Sequence, residues 1–270
     1  MHTTTIFETL WQEYVQRTPS AEKIQQLFTE TGNKVSNDHV AFRTFEDPRV
    51  NIEVLAKPFL AAGYQPCGEY VFEEKKLIAT HFEHATDATA PRVFISQLKT
   101  SEFSLELQAA VKKMVDTIPT EAFATPDLVF KGSLWGQPSF ELYEKLQSES
   151  AYAAWLYVNG FCANHFTVAV NDLDTFTSLQ EVNSFLKENG FKMNASGGEI
   201  KGSSEELLEQ SSVLADKIPV NFIEGTKEIT SCYYEFAFRH AMENGDLFSG
   251  FIAGSADKIF ESTDMSLQEA

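Results

Sequence analysis

The chain has 270 residues, with 21 Lys+Arg against 39 Asp+Glu and a formal net charge of -18 at pH 7. A field this negative repels phosphate backbones and anionic lipid surfaces, so neither a nucleic-acid partner nor a membrane is expected. No apolar run approaches a bilayer span, the first residues lack a leader pattern, and three widely spaced cysteines suit reduced thiols; a cytoplasmic, folded protein is expected.

In chain order, Ile6, Leu10, Trp11 and Tyr14 form one helical stripe. Thr18-Pro19-Ser20 interrupts it, and a second helix carries Ile24, Leu27 and Phe28 before Gly32 ends it. Residues 1–34 are therefore expected to be packing helices. From Asp38 the period changes to two, and Asp38–Phe45 reads as a strand. A helix over Val50–Ala62, closed by Gly63, follows. Strands are expected around Tyr70–Glu73, over Lys76–Glu83 and over Arg92–Leu98. Residues 35–100 thus form a strand, a helix and three strands.

Residues 101–160 break the pattern with helices over Leu105–Ile118 and Pro138–Val158. Residues 161–240 then repeat the first unit. A strand over Ala163–Val170 and a helix over Leu173–Asn189 precede strand candidates at Phe191–Lys201, Glu209–Lys217 and Ser231–Arg239. A duplicated unit determines the architecture. The fold class is α+β: two βαβββ modules form one open β-barrel with peripheral helices. One cooperative domain over 1–270 is expected, because one module alone cannot bury both sheet faces.

A histidine enters each unit at the same place, in Asp38-His39 and Asn164-His165. Alternation puts His39, Ala41 and Arg43 on one face of the first strand and His165 and Thr167 on the matching face of its repeat. On the last strand Tyr233, Glu235, Ala237 and Arg239 share a face, and a mid-strand carboxylate is costly to bury unless paired or bound to metal. Two histidines and a glutamate facing one cavity match a 2-His-1-carboxylate triad, which leaves adjacent metal positions open. Spacing leaves the metal open among iron, manganese, zinc and nickel. The inert alternative is a Glu235–Arg239 pair beside hydrogen-bonded histidines. His81 is expected to line the cavity, with His84 on the opposite face; Cys162 and Cys232 read as buried small hydrophobes. No G-x-S-x-G, Walker or G-x-G-x-x-G pattern occurs.

The segments Asp38-His-x-x-x-Arg43-Thr, Asn164-His-Phe-Thr, Tyr234-Glu-Phe, Pro91-Arg-Val-Phe-Ile-Ser and Gly254-Ser-Ala-Asp-Lys-Ile-Phe resemble the 2-oxoadipate dioxygenase/decarboxylase family, of vicinal oxygen chelate type. The resemblance implies an Fe(II) enzyme that turns 2-oxoadipate and O2 into 2-hydroxyglutarate and CO2. It implies His39, His165 and Glu235 as ligands, Arg43 as the hold on a substrate carboxylate, Gly254 and Ser255 as substrate contacts, and residues 241–270 as a tail closing the site. Arg43 has a second reading, an ion pair with Glu46 or Asp47. Two rivals are kept: a metal-dependent isomerase or lyase on the same fold with Glu235 or His81 as base, and a metal-free, non-catalytic binder of a small acid or hydrophobe.

Overall fold

A computed structural model describes residues 3–254. Helices α1 (Thr3–Arg17) and α2 (Pro19–Glu30) open the chain. Pro19 starts α2, where the first turn has no use for an amide hydrogen. Ile6, Leu10 and Tyr14 are buried as one stripe. Trp11 extends it, its ring 5.1 Å from that of Phe166 and 5.7 Å from that of Tyr234.

The first module comprises β1 (Asn37–Phe45), α3 (Ile52–Ala61), β2 (Tyr64–Phe72), β3 (Leu77–His84) and β4 (Arg92–Leu98). Helices α4 (Leu105–Thr117), α5 (Phe140–Glu149) and α6 (Ala151–Asn159) follow. The second module comprises β5 (Ala163–Ala169), α7 (Leu179–Glu188), β6 (Lys201–Ser203), β7 (Leu208–Ser212) and β10 (Tyr233–Arg239). A hairpin of β8 (Lys217–Phe222) and β9 (Gly225–Thr230) is inserted before the last strand.

One curled eight-stranded sheet runs in the order β2-β3-β4-β1-β5-β10-β7-β6. In each module the first strand lies parallel to the last, β1 to β4 and β5 to β10. The modules join along the antiparallel β1–β5 seam. This is the α+β half-barrel of vicinal oxygen chelate type. Val40, Phe42, Phe166, Val168, Tyr234 and Phe236 fill the face under the helices, each fully buried. Phe42 meets Phe59 of α3, and Phe236 meets Phe28 of α2. Each such side chain contributes about 1.5–3 kcal/mol relative to exposure. The opposite face carries His39, Arg43, His165 and Glu235.

Five expectations need correction. The strand expected around Tyr70–Glu73 already starts at Tyr64, and the one over Glu209–Lys217 stops at Ser212. The helix expected over Pro138–Val158 is two helices, because Ser150 turns extended and its side chain accepts the amide of Ala153 to start α6. The helix expected from Leu173 starts only at Leu179, where Ser178 caps it. In the second module Phe191–Lys201 is mostly loop: Gly197 and Gly198 adopt φ of 68° and 102°, and only Lys201–Ser203 pairs as a strand. The inserted hairpin docks on α5 through Glu224, whose carboxylate accepts the amides of Phe140 and Glu141 and the hydroxyl of Ser139. Those bonds hold Glu224 down at about 2.

Gly160 ends α6 with φ 68° and ψ −152°, and a Cβ there would lie 2.1 Å from the backbone of Gly132 and Ser133. Strain in that glycine-only region costs roughly 1–3 kcal/mol, and overpacking about the same again. Gly160→Ala is therefore expected to lower unfolding stability by on the order of 2–5 kcal/mol in a denaturant titration. An unchanged midpoint would contradict the close approach.

Candidate metal centre and active site

Neighbouring side chains on a strand normally face opposite ways, and β-bulges alter this where it matters. In the β1–β5 pairing, Asn37 and His39 meet the consecutive residues Val168 and Thr167, so Asp38 is an extra residue on β1. Ala41 and Phe42 meet His165 and Ala163, so Asn164 is the extra residue on β5. A bulge re-aims the side chain it carries. Asp38 and Asn164 consequently each reach the ring of the histidine that follows.

His39 Nδ1 lies 2.8 Å from Oδ1 of Asp38, and His165 Nδ1 lies 3.1 Å from Oδ1 of Asn164. Both partners are acceptors, so each ring carries its proton on Nδ1 and turns a lone pair on Nε2 into the cavity. The two Nε2 atoms are 3.3 Å apart. Glu235 completes the group, with Oε1 3.5 Å from Nε2 of His39 and Oε2 3.3 Å from Nε2 of His165. The three side chains are buried, and their ligand atoms lie within 4.8 Å of one another.

The electrostatics of this group call for a cation. Burial holds both histidines below the ordinary imidazole value, against the pull of Asp38 at His39, and His165 the more strongly, where the neighbouring His39 and Arg43 add to the effect. Burial also pushes Glu235 up to about 8, against a hydrogen bond from Gln210 to Oε1 at 2.6 Å. Its Oε2 is buried without a hydrogen-bond partner. Two neutral imidazoles with converging lone pairs and a carboxylate with a spare oxygen are the donor set of a divalent transition metal. The residues fit that ion.

The Glu235–Arg239 pair weighed from sequence does not form. Arg239 instead forks onto Asp38, with Nε 2.6 Å from Oδ2 and Nη2 2.9 Å from Oδ1. Burial opposes the charge on Asp38, yet Arg239 and His39 hold its carboxyl well below the usual range. Nη1 of Arg239 also donates to the carbonyls of Phe248 and Gly250, each at 2.8 Å. That clamp delivers the Phe251 ring to 4.8 Å from His39 and 4.9 Å from Phe94. The Phe251 amide donates to the hydroxyl of Tyr70 at 3.1 Å.

Arg43 is 2% exposed, its guanidinium 5.0 Å from the ring of Tyr152 and 4.7 Å from that of Trp155, both on α6. The acids weighed as its partners are engaged elsewhere, Glu46 with Ser101 and Asp47 with Arg49. His81 shares the cavity face but stands apart from the ligand group. Tyr70 lies 2.9 Å from its Nδ1 and Glu83 2.9 Å from its Nε2. His84 is structural, with Nε2 3.0 Å from the Ala62 carbonyl. Cys162 and Cys232 are buried. Gly254 is exposed at the end of the described chain, and Ser255 lies outside the described residues. Sequence reasoning missed Gln210, Phe251 and the orienting roles of Asp38 and Asn164. The repeated Asp-His and Asn-His pairs were the signal for the last two.

Asp38→Asn keeps the shape but weakens the acceptor for His39 and unpairs Arg239. Metal affinity is expected to fall about 10–100-fold, the usual effect of removing a partner that orients a ligand. Competition with a chromogenic chelator measures it, and an unchanged affinity would deny Asp38 that role.

The chain matches the sequence profile of the 2-oxoadipate dioxygenase/decarboxylase family over residues 3–248. It is 34% identical to the chloroplastic 2-oxoadipate dioxygenase/decarboxylase of Arabidopsis thaliana, over 93% of this chain and 74% of that one. The crystal structure of the hydroxyglutarate synthase of Oryza sativa in complex with 2-oxoadipate superposes with a TM-score of 0.91, at 34% identity over 98% of this chain and 93% of that one. A Shewanella frigidimarina NCIMB 400 structure, described only provisionally as a hydrolase, gives a TM-score of 0.88 at 49% identity, covering 93% of this chain and 98% of that one. With the paired histidines, the glutamate and the duplicated sheet all in place, the chain belongs to the 2-oxoadipate dioxygenase/decarboxylase family of enzymes.

Proposed function

We propose that this chain is an Fe(II)-dependent dioxygenase/decarboxylase that converts 2-oxoadipate and O2 into 2-hydroxyglutarate and CO2. The observation that carries this reading is the buried group of His39, His165 and Glu235, poised for a divalent ion on a sheet like that of the rice enzyme. Iron(II), which His39, His165 and Glu235 would hold, would supply the oxygen chemistry that side chains lack. Atoms balance: one oxygen atom ends in the new carboxylate of the shortened acid and the other in its hydroxyl group. The substrate supplies the electrons through loss of CO2, so no second 2-oxo acid is consumed.

The protein's part is to bind, orient and exclude water. Arg43 takes the distal carboxylate, its planar fork suited to bidentate capture and its charge kept when buried. Asp38 and Asn164 fix the two imidazoles, while Gln210 steadies one oxygen of Glu235. Phe94, Tyr70 and Phe251 dry the wall beside His39, with His81 behind them. The family resemblance proposes Gly254 as a substrate contact, together with Ser255, which lies outside the described residues. The isomerase reading with His81 as base is weaker, because both ring nitrogens of His81 already face partners.

Oxygen uptake by iron-loaded protein across a panel of 2-oxo acids tests the proposal. Stoichiometric O2 consumption and CO2 release with 2-oxoadipate are expected. Product formed under strict anaerobiosis would sink it.

A further inference from the structure

A second group of metal-type donors lies on the first module, outside the site described above. Cys67, His81 and Glu83 each offer a ligand atom, and these atoms all lie within 4.8 Å of one another. The backbone arranges this. Strand β2 bulges between Pro66 and Gly68, which pair with the consecutive residues Phe82 and His81 of β3, leaving Cys67 as the extra residue. A bulge sets two residues against one, so Cys67 joins Gly68 opposite His81 instead of turning to the other face. His81 and Glu83, two apart on β3, share a face. Gly68 keeps the space open: a Cβ there would lie 2.8 Å from Cε1 and Nδ1 of His81.

The imidazole already aims Nε2 at the carboxylate that would share an ion with it. Nδ1 faces the Tyr70 hydroxyl at 2.9 Å, and Nε2 lies 2.9 Å from Oε1 of Glu83. Without a metal the Glu83 carboxylate accepts from Nε2–H and the Tyr70 hydroxyl donates to Nδ1. An ion seated between Nε2 and Oε1 would displace that proton to Nδ1, where Tyr70 can accept it. Metal-bound histidines are held in this way by an acceptor on the other nitrogen. Cys67 is exposed, so an ion has a route in.

We propose that Cys67, His81 and Glu83 form an accessory site for a zinc-class divalent ion, separate from the centre of His39, His165 and Glu235. One thiolate, one imidazole and one carboxylate make three of four tetrahedral ligands, with water as the fourth. Binding releases the thiol proton of Cys67 and leaves the metal's oxidation state unchanged. The Tyr70 hydroxyl touches both His81 and the Phe251 amide, so an ion here braces the wall against His39.

Cobalt(II) titration of metal-free protein tests the site, because thiolate-to-cobalt charge-transfer absorption reports sulfur ligation and the main centre has no sulfur donor. Two equivalents are expected to bind, with the sulfur absorption tracking one of them. Cys67→Ser should abolish that absorption and one equivalent while keeping the other. Glu235→Gln should remove the other equivalent and keep the sulfur absorption. Zinc should raise the unfolding midpoint of Glu235→Gln protein, and the added Cys67→Ser change should cancel the rise. Binding that stops at one equivalent without sulfur absorption, or absorption that survives Cys67→Ser, would overturn the assignment.

Discussion

Glu235→Gln is expected to abolish metal binding at the paired histidines, and turnover with it, while making the metal-free protein more stable at neutral and alkaline pH. The glutamine keeps the size of the side chain and can still accept from Gln210, so packing is conserved. What it loses is the negative charge that the metal requires and that the empty cavity penalises. Burial pushes Glu235 up to about 8 from the ordinary 4.5. A raised pKa in the folded state means that stability is fully present below the unfolded value. It is lost progressively as pH climbs from there through about 8. Above that point ionised Glu235 weighs against the metal-free fold by on the order of 3–5 kcal/mol. Chelator-treated wild type should therefore lose stability between pH 5 and pH 9, and the variant should not lose this part. Parallel pH profiles would show that Glu235 is not ionising in a buried cavity. Tight metal binding by the variant would show that the carboxylate is not a ligand.

Strands β1, β3 and β4 of the first module were legible because one apolar face and one mixed face alternate cleanly along them. The metal-type residues were legible for another reason: duplication placed His39 and His165 at equivalent points, and Glu235 interrupted an otherwise aromatic strand. The side chains that orient those ligands were not. Strict alternation turns Asp38 and Asn164 away from the histidines beside them, and only a bulge at each position brings them back. Bulges depend on pairing register, which a single strand does not reveal. The hairpin of β8 and β9 was hidden by the repeat itself. Counting three strands after the second helix assigned Phe191–Lys201 to a place that Lys201–Ser203 fills. Phe251 carried no local signal, because its position depends on Arg239 clamping the chain at Phe248 and Gly250.

Arg43→Lys is expected to leave metal content intact and to cut activity on a dicarboxylic 2-oxo acid by a factor on the order of 10² or more. Arg43 lies four residues along β1 from His39, with its guanidinium packed between Tyr152 and Trp155 of α6. Aromatic faces hold a flat cation in one orientation, so the fork is set before substrate arrives. Lysine supplies a point charge on a flexible stem, with neither the fork nor the stacking. Burial acts on the two cations unequally. It lowers the Arg43 guanidinium from a value so high that the charge survives, whereas an ammonium in the same place starts near 10.4 and loses its proton far more readily. The variant is thus expected to lose both geometry and charge where a second carboxylate must be held. If Arg43 holds the distal carboxylate as proposed, the loss should be largest for substrates with two carboxylates and small for a 2-oxo acid with one. Comparing kcat/KM on 2-oxoadipate and on its one-carboxylate analogue, at matched iron content, separates these cases. An equal loss on both acids would move Arg43 to the carboxylate beside the keto group, and near-normal kinetics on both would remove it from substrate binding altogether.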